Sequence, residues 1–281
     1  MEIAEFLSEI EKDAQRLRRV VRLYQKIKEK GDLIKIEKFL LKKEKEIGGL
    51  KSEYLKNLAE NFYKEIADFL QAEKDTLREK FGRELKELVE REGKVIKGQY
   101  PDLKIGLLTL EVNFLGNYAH LYWGNKLEMI RRKIPLNPPL ILRAIQEFYQ
   151  SLKPKEFHPQ LFLQKLFLAY RHFLSTNKKG EGERVFLVDL LPEIAFAIQG
   201  KEFREDPRRR NFREYPRYRF SYDLYQLINS GMREVAGYTF SLAVATFDQT
   251  LEKRKALWVP INEEGEGVYY STIAFLPERE T

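Results

Sequence analysis

The sequence contains no cysteine and only three methionines among its 281 residues. The absence of cysteine excludes disulfides, thiolate zinc sites and cysteine nucleophiles together. Charged residues, by contrast, make up 33% of the chain. Few labile side chains and many charges are typical of heat-tolerant proteins, so we expect a thermophilic source and a high melting temperature.

Long apolar runs are also missing. No stretch approaches the roughly 18 consecutive apolar residues of a membrane span. The first residues, MEIAEFLSEIEKDAQRL, carry acids where a secretory signal requires basic residues and an apolar core. The sequence therefore predicts a cytoplasmic protein with no membrane partner, and its 43% of hydrophobic residues are enough to build a folded core.

The motifs of common enzyme classes are absent as well. The sequence has no G-x-x-x-x-G-K-S/T phosphate-binding loop and no G-x-S-x-G nucleophile elbow. Its three histidines, His120, His158 and His172, do not have the spacing of metal ligands. We therefore predict no cofactor and no bound metal, and we favour a protein without catalytic activity of its own.

One pair of carboxylates leaves an enzymatic alternative open. Asp189 and Glu193 are four residues apart and flank Pro192 in a largely apolar segment. A metal-dependent phosphodiesterase needs only two or three acids around a divalent ion. Acids at the start of a helix, however, also stabilise the helix dipole, and this structural role is the interpretation we favour.

Apolar residues in the first third of the chain follow a coiled-coil repeat. They recur at 4-3-4-3 spacing from Ile3 to Tyr24 and again from Leu55 to Phe69, which gives each helix a narrow apolar seam. The two halves of this region have similar lengths. The pattern therefore favours a long antiparallel helical hairpin with Gly48-Gly49 at its tip and Gly31-Asp32 as a kink. A three-helix bundle with turns at both positions is the alternative.

The pattern changes after Gly98, which predicts a helical region at residues 1–98 and a second domain at residues 99–281. In the second domain, strands are predicted at residues 104–114, 118–124, 238–247, 256–261 and 268–276. Helices are predicted at residues 140–152, 159–174, 192–199 and 223–235. Because strands and helices do not alternate strictly, the predicted fold class is α+β, with a helical hairpin followed by helices and an antiparallel sheet.

The segment from Lys201 to Tyr222, KEFREDPRRRNFREYPRYRFSY, contains eight Lys or Arg and six aromatic residues in 22 positions. The other 59 residues after position 200 carry a net charge of −4, so the positive field is local. Arginine pairs with phosphates and aromatic rings stack on bases, a combination suited to single-stranded nucleic acid. The candidate nucleic-acid-binding residues are Arg208, Arg209, Arg210, Arg213, Arg217 and Arg219.

Two local interpretations qualify this prediction. If residues 217–222 are extended, Arg217 and Arg219 lie on one face of a strand and the aromatic residues lie on the other, in the core. The acids within the segment could also pair with part of the arginines. A smaller basic cluster, Arg131-Arg132-Lys133, either extends the same surface or simply ends a helix, and we favour the second.

These features favour a non-catalytic accessory or scaffold subunit of a multiprotein complex. It would bind DNA or RNA through the arginines, and a protein partner or a second copy of itself through residues 3–92. Two alternatives remain open. One is a metal-dependent phosphodiesterase or nuclease that uses Asp189 and Glu193, and the other is a pure interaction scaffold whose arginines dock on an acidic protein.

Overall fold

The computed structural model describes residues 2–126, 128–152 and 157–277. The chain divides into two compact units, one of residues 1–87 with 113–118 and one of residues 88–112 with 119–281. Helices and antiparallel sheets are both present, which confirms the predicted α+β class. No helix in the described part of the chain is long and apolar enough to cross a membrane.

The N-terminal region consists of four helices: α1 (Glu2–Glu29), α2 (Leu33–Leu40), α3 (Lys43–Gly48) and α4 (Glu53–Arg91). The chain leaves α1 through Gly31, whose φ of +63° is a conformation that glycine adopts without strain. Asp32 then caps α2, since its Oδ1 accepts a hydrogen bond from the Lys35 backbone N–H at 3.0 Å. Residues 31 and 32 therefore end one helix and begin the next.

The chain reverses direction at Gly31-Asp32. The helical region therefore has turns at both predicted positions, as in the three-helix alternative, and not only at Gly48-Gly49 as in the two-arm hairpin. In one continuous helix, residues 16 and 46 would be about 45 Å apart at 1.5 Å per residue. Instead, Arg16 Nε lies 3.3 Å from Glu46 Oε2, and Arg16 Nη1 donates to the Gly49 carbonyl oxygen at 3.0 Å. The long N-terminal helical region is present, but α2 and α3 run back along α1.

The core of this region combines residues of three helices. Val20 and Tyr24 of α1 and Ile36 and Phe39 of α2 pack with a group from α4, namely Tyr63, Ile66 and Leu70. The ring centroids of Phe39 and Tyr63 are 5.5 Å apart. Tyr24 and Ile66 belong to the seams predicted from the sequence, and these parts of the seams are buried.

Asp13 of α1 fixes the backbone that leads into α4. Its Oδ2 accepts hydrogen bonds from the backbone N–H groups of Lys51 and Ser52, at 2.7 and 2.9 Å. The Ser52 amide, aided by the Lys51 amide, lowers the pKa of the Asp13 carboxyl group below its usual value. The side chain is buried, so these two donors depend on it.

We expect Asp13→Ala to lower the free energy of unfolding by about 1–3 kcal/mol at neutral pH, because two backbone N–H groups lose their hydrogen bonds to a charged carboxylate. Since the folded pKa lies below the unfolded value of about 3.9, this contribution is complete above that pH. It is lost as the pH falls through the folded pKa. Urea unfolding of both proteins at about pH 7 and about pH 2.5 measures it, and a difference that does not shrink in acid would contradict this role.

The second unit begins with a five-stranded sheet in sequence order: β1 (Ile96–Gln99), β2 (Asp102–Ile105), β3 (Leu108–Asn113), β4 (Tyr118–Trp123) and β5 (Glu128–Pro135). The strand predicted at residues 104–114 is divided in two. Gly106, with a φ of +55°, turns the chain so that Ile105 pairs with Leu108. The cluster Arg131-Arg132-Lys133 lies on the edge strand β5, not at a helix end.

The rest of the unit alternates helices with a second sheet. Its helices are α5 (Pro138–Leu152), α6 (Pro159–Thr176), α7 (Leu191–Ala197), α8 (Lys201–Glu205), α9 (Arg217–Asn229) and α10 (Phe247–Thr250). Its strands are β6 (Val185–Phe186), β7 (Glu234–Val235), β8 (Tyr238–Val244), β9 (Leu257–Pro260) and β10 (Gly267–Pro277). The order is β6-β10-β8-β7, and β9 also pairs with β10.

Helix α9 lies in the core of this unit. Phe220, Leu224 and Leu227 are fully buried. Ser221 Oγ accepts a hydrogen bond from Trp123 Nε1 at 3.0 Å and donates to the carbonyl oxygen of Trp258. Any charged side chain on α9 is therefore either paired inside the unit or confined to the narrow face that the core leaves open.

Candidate nucleic-acid interface

Residues 217–222 form the first turns of α9, not an extended strand. Pro216 is the N-cap residue, with an extended backbone. Phe220, Leu224 and Leu227 then recur at helical spacing and bury one face. This apolar pattern continues beyond the six residues in which polar and aromatic side chains alternate, and the segment is helical. Arg217 and Arg219 therefore belong to a helix whose other face is buried.

Arg217 is paired inside the protein. Its guanidinium forms an ion pair with Glu128 and donates hydrogen bonds to the carbonyl oxygens of Lys253 and Ala256. The side chains of Arg217 and Glu128 are only 9% and 12% exposed. Burial raises the pKa of Glu128 and lowers that of Arg217, because both charges have lost solvation. Arg217 therefore lies outside any surface for phosphate.

Arg219 also has internal partners. Its Nε lies 3.2 Å from Asp223 Oδ1, and its Nη1 donates to the carbonyl oxygens of Ser151 and Leu152. Tyr215 donates its hydroxyl to the other Asp223 oxygen at 2.8 Å. Burial raises the pKa of Asp223, although Arg219 acts in the opposite direction. This network ties the start of α9 to the end of α5.

The other four candidates, Arg208, Arg209, Arg210 and Arg213, have exposed side chains. They belong to residues 206–213, which we call the arginine loop and which contains a short 3₁₀ turn, Arg209–Asn211. Asp206 lies 3.0 Å from Arg208 Nε and 3.8 Å from Arg210 Nη2, so one carboxylate is shared by two guanidinium groups. Such exposed pairs are weak, and the loop keeps a net positive charge.

A buried glutamine holds the end of the arginine loop. Gln199 Oε1 accepts a hydrogen bond from the Arg213 backbone N–H at 2.8 Å, and Gln199 Nε2 donates to the Arg213 carbonyl oxygen at 3.0 Å. Asn211 Nδ2 donates to the Asp206 carbonyl oxygen at 2.9 Å and closes the loop on itself. The arginines therefore extend from a backbone that is held in place.

Three phenylalanines pack beside the arginine loop. The ring centroids of Phe203 and Phe212 are 5.4 Å apart, and Phe196 lies 6.3 and 6.2 Å from them. Phe196 is 60% exposed, so this phenylalanine cluster offers an aromatic face to solvent. Phe196 precedes the basic segment and is not among the residues predicted from the sequence. The signal that could have found it is an aromatic residue where α7 meets that segment.

A cleft of about 370 Å³ opens next to the arginine loop. Lys165 of α6, Arg213, Tyr215, Tyr218 and His158 are among its lining residues. Burial lowers the pKa of Lys165, and the nearby Arg204 and Arg213 lower it further. Within the described residues, Lys165 makes no hydrogen bond or ion pair. Lys165 was not among the residues predicted from the sequence.

The carboxylates Asp189 and Glu193 do not come together in a site of several ligands. Asp189 is exposed, and Glu193 lies in the first turn of α7 with its Oε2 2.6 Å from His172 Nδ1. Across residues 2–126, 128–152 and 157–277 there is no group of three or more His, Asp or Glu side chains placed to hold a metal ion. The position of Glu193 agrees with the predicted helix-start role.

No protein-family model, curated protein or solved structure matches this chain in the comparisons. Function is therefore inferred from the geometry of the arginine loop, the phenylalanine cluster and the cleft.

Proposed function

We propose that this protein is a non-catalytic nucleic-acid-binding subunit that acts as an accessory or scaffold protein. The observation that carries the proposal is the arginine loop, where four exposed arginine side chains lie beside the phenylalanine cluster, in which Phe196 is exposed. Guanidinium groups supply phosphate contacts and aromatic faces supply stacking. The proposed binding residues are Arg208, Arg209, Arg210 and Arg213. Arg217 and Arg219 instead stabilise the fold through their internal ion pairs.

The phenylalanine cluster favours a single strand over a duplex. The bases of a duplex are stacked on each other and are inaccessible to a side-chain ring, whereas unpaired bases can stack on it. Phe212 lies between Asn211 and Arg213 in the sequence, and Phe203 precedes Arg204. Stacking and phosphate contacts therefore come from the same short segments, as a strand that lies across them requires.

The N-terminal region supports the second part of the proposal, which is a protein partner or self-association through residues 3–92. The first part of the α1 seam is exposed at Ile3 and Leu7, and Phe6 next to the seam is exposed as well. Tyr54 and Leu58 of α4 are exposed as well. Apolar side chains grouped on a surface mark interaction sites, so we propose this region as the one that joins a complex.

Equilibrium binding to a labelled oligonucleotide tests the proposed function. We expect the protein to bind single-stranded DNA or RNA at about 50 mM salt more tightly than the matching duplex, because only the single strand can stack. Polyglutamate of similar length is the control for docking on an acidic protein. Equal binding to polyglutamate would favour an interaction scaffold, and no binding to any oligonucleotide would overturn the proposal.

The contribution of stacking is tested at Phe196. We expect Phe196→Ala to weaken single-strand binding by about 1–3 kcal/mol, the usual contribution of one stacked base. The free energy of unfolding should change little, because 60% of the side chain is already exposed. Phe247→Ala is the matched control, since Phe247 is 77% exposed elsewhere in the same unit. If both variants bind as tightly as the original protein, Phe196 does not stack on a base.

A further inference from the structure

The cleft beside the arginine loop is a separate feature, because one of the cations that line it, Lys165, lies outside the loop. Lys165 comes from α6, and Arg213 comes from the end of the arginine loop. The volume of about 370 Å³ is within the range of small-molecule sites. The walls include the rings of Tyr215 and Tyr218, so the cleft combines cations with aromatic surface.

The charged residues that line the cleft leave positive charge that no acidic side chain pairs with in the described structure. Among the charged lining residues, Arg219 and Asp223 pair with each other. Glu214 also lines the cleft, with an exposed side chain like that of Arg213, so the Lys, Arg, Asp and Glu residues that line it comprise three cations and two acids. Lys165 is partly buried, has no ion-pair partner among the described residues, and experiences the charges of Arg204 and Arg213. Bringing cations together in this way costs free energy that a bound anion would recover.

The backbone of Arg213, one of the two cationic residues, is held in place before any anion binds. The two hydrogen bonds of Gln199 hold the backbone N–H and the backbone carbonyl oxygen of Arg213. Lys165 extends from α6, a helix of 18 residues whose apolar face is buried. Because Lys165 and Arg213 both line the cleft from a backbone that is held in place, the backbone needs little reorganisation when an anion enters.

We propose that this cleft binds a phosphate monoester, carried by a free nucleotide or by the end of a nucleic-acid strand, with Lys165 and Arg213 as its cationic ligands. A terminal phosphate carries up to two negative charges and matches two cations. An internal phosphodiester carries one negative charge, and we expect it to bind the exposed arginines of the arginine loop. Where the ligand is a strand end, this inference rests on the proposed function.

Titration calorimetry with 5′-AMP, inorganic phosphate and adenosine tests the cleft directly. We expect 5′-AMP and phosphate to bind and adenosine to bind at least tenfold more weakly than 5′-AMP. Lys165→Met should weaken 5′-AMP binding at least tenfold, whereas Lys165→Arg should retain most of it. Lys104→Met is the matched control, because Lys104 is exposed on β2. Equal affinity for 5′-AMP and adenosine, or an unchanged affinity in Lys165→Met, would overturn the proposal.

Two short oligonucleotides, one with a 5′-phosphate and one with a 5′-hydroxyl, distinguish the two sources of phosphate. A strand-end site predicts at least tenfold tighter binding of the phosphorylated strand, and this preference disappears in Lys165→Met. A free-nucleotide site predicts 5′-AMP binding with no preference between the strands. If 5′-AMP binds and neither strand does, the cleft stands and the proposed function fails. If both strands bind equally and 5′-AMP does not bind, the proposed function stands and the phosphate site in the cleft fails.

Discussion

Arg217→Met is expected to lower the free energy of unfolding by about 3–5 kcal/mol, the usual cost of breaking a buried ion pair by removing one partner. The substitution leaves the Glu128 carboxylate buried without its cation. It also removes the donors that reach the carbonyl oxygens of Lys253 and Ala256. Methionine keeps most of the aliphatic volume, so the loss measures the lost charge and hydrogen bonds more than a cavity.

Urea unfolding followed by circular dichroism measures this loss. The double variant Arg217→Met with Glu128→Leu should recover a large part of it, because a buried ion pair can often be replaced by apolar residues without cost. Arg209→Met is the matched control on the exposed loop and should change stability by less than about 0.5 kcal/mol. A loss in Arg217→Met no larger than in this control would show that the internal pairing of Arg217 is unimportant.

Replacing Arg208, Arg209 and Arg210 together by glutamine should weaken single-strand binding by about five- to 150-fold at low salt. Each exposed phosphate contact contributes a few tenths to one kcal/mol, by analogy with exposed ion pairs, and three of them add up to about 1–3 kcal/mol. The unfolding free energy should stay nearly constant, since these side chains are exposed and share only Asp206 as an ion-pair partner in the described structure.

A second triple variant separates a local interface from the general effect of charge. Lys178, Lys179 and Arg254 are exposed elsewhere in the same unit, and their replacement by glutamine removes the same total charge. We expect this control to bind nearly as tightly as the original protein, because distant exposed charges are screened within about 10 Å at 0.1 M salt. Equal weakening in both variants would mean that the arginine loop is not a specific contact surface.

The sequence predicts the α+β class well, because long periodic segments determine helices and strands locally. α5 and α6 lie where their apolar spacing predicts them, and both begin at prolines in their first positions. Short segments are harder to assign. Residues 217–222 alternate polar and aromatic side chains over only six positions, and tertiary packing decides that they join the helix that continues to Asn229.

The geometry of the helical region was harder to predict for a different reason. A heptad seam shows that a helix packs on a partner, but it does not identify the partner or the position of the turn. Gly31-Asp32 suits both a kink and a reversal. The contact between Arg16 and Glu46 spans 30 residues and decides for the reversal, and no local pattern in the sequence encodes such a contact.

The candidate site divides in the same way. Arg208, Arg209 and Arg210 follow Pro207 in a polar segment, a pattern typical of an exposed loop. The pairing of Arg217 with Glu128, and the approach of Lys165 to Arg213, join residues far apart in the chain. The first removes a predicted binding residue from the surface, and the second creates a cleft that the sequence alone does not indicate.

The dependence of binding on salt tests the central claim most directly. For a single strand, the slope of the logarithm of the binding constant against the logarithm of salt concentration is about −0.7 for each phosphate contact. If Arg208, Arg209 and Arg210 each contact a phosphate, replacing all three by glutamine should make this slope shallower by about 2. An identical slope in the original protein and the triple variant would contradict the arginine loop as a nucleic-acid interface.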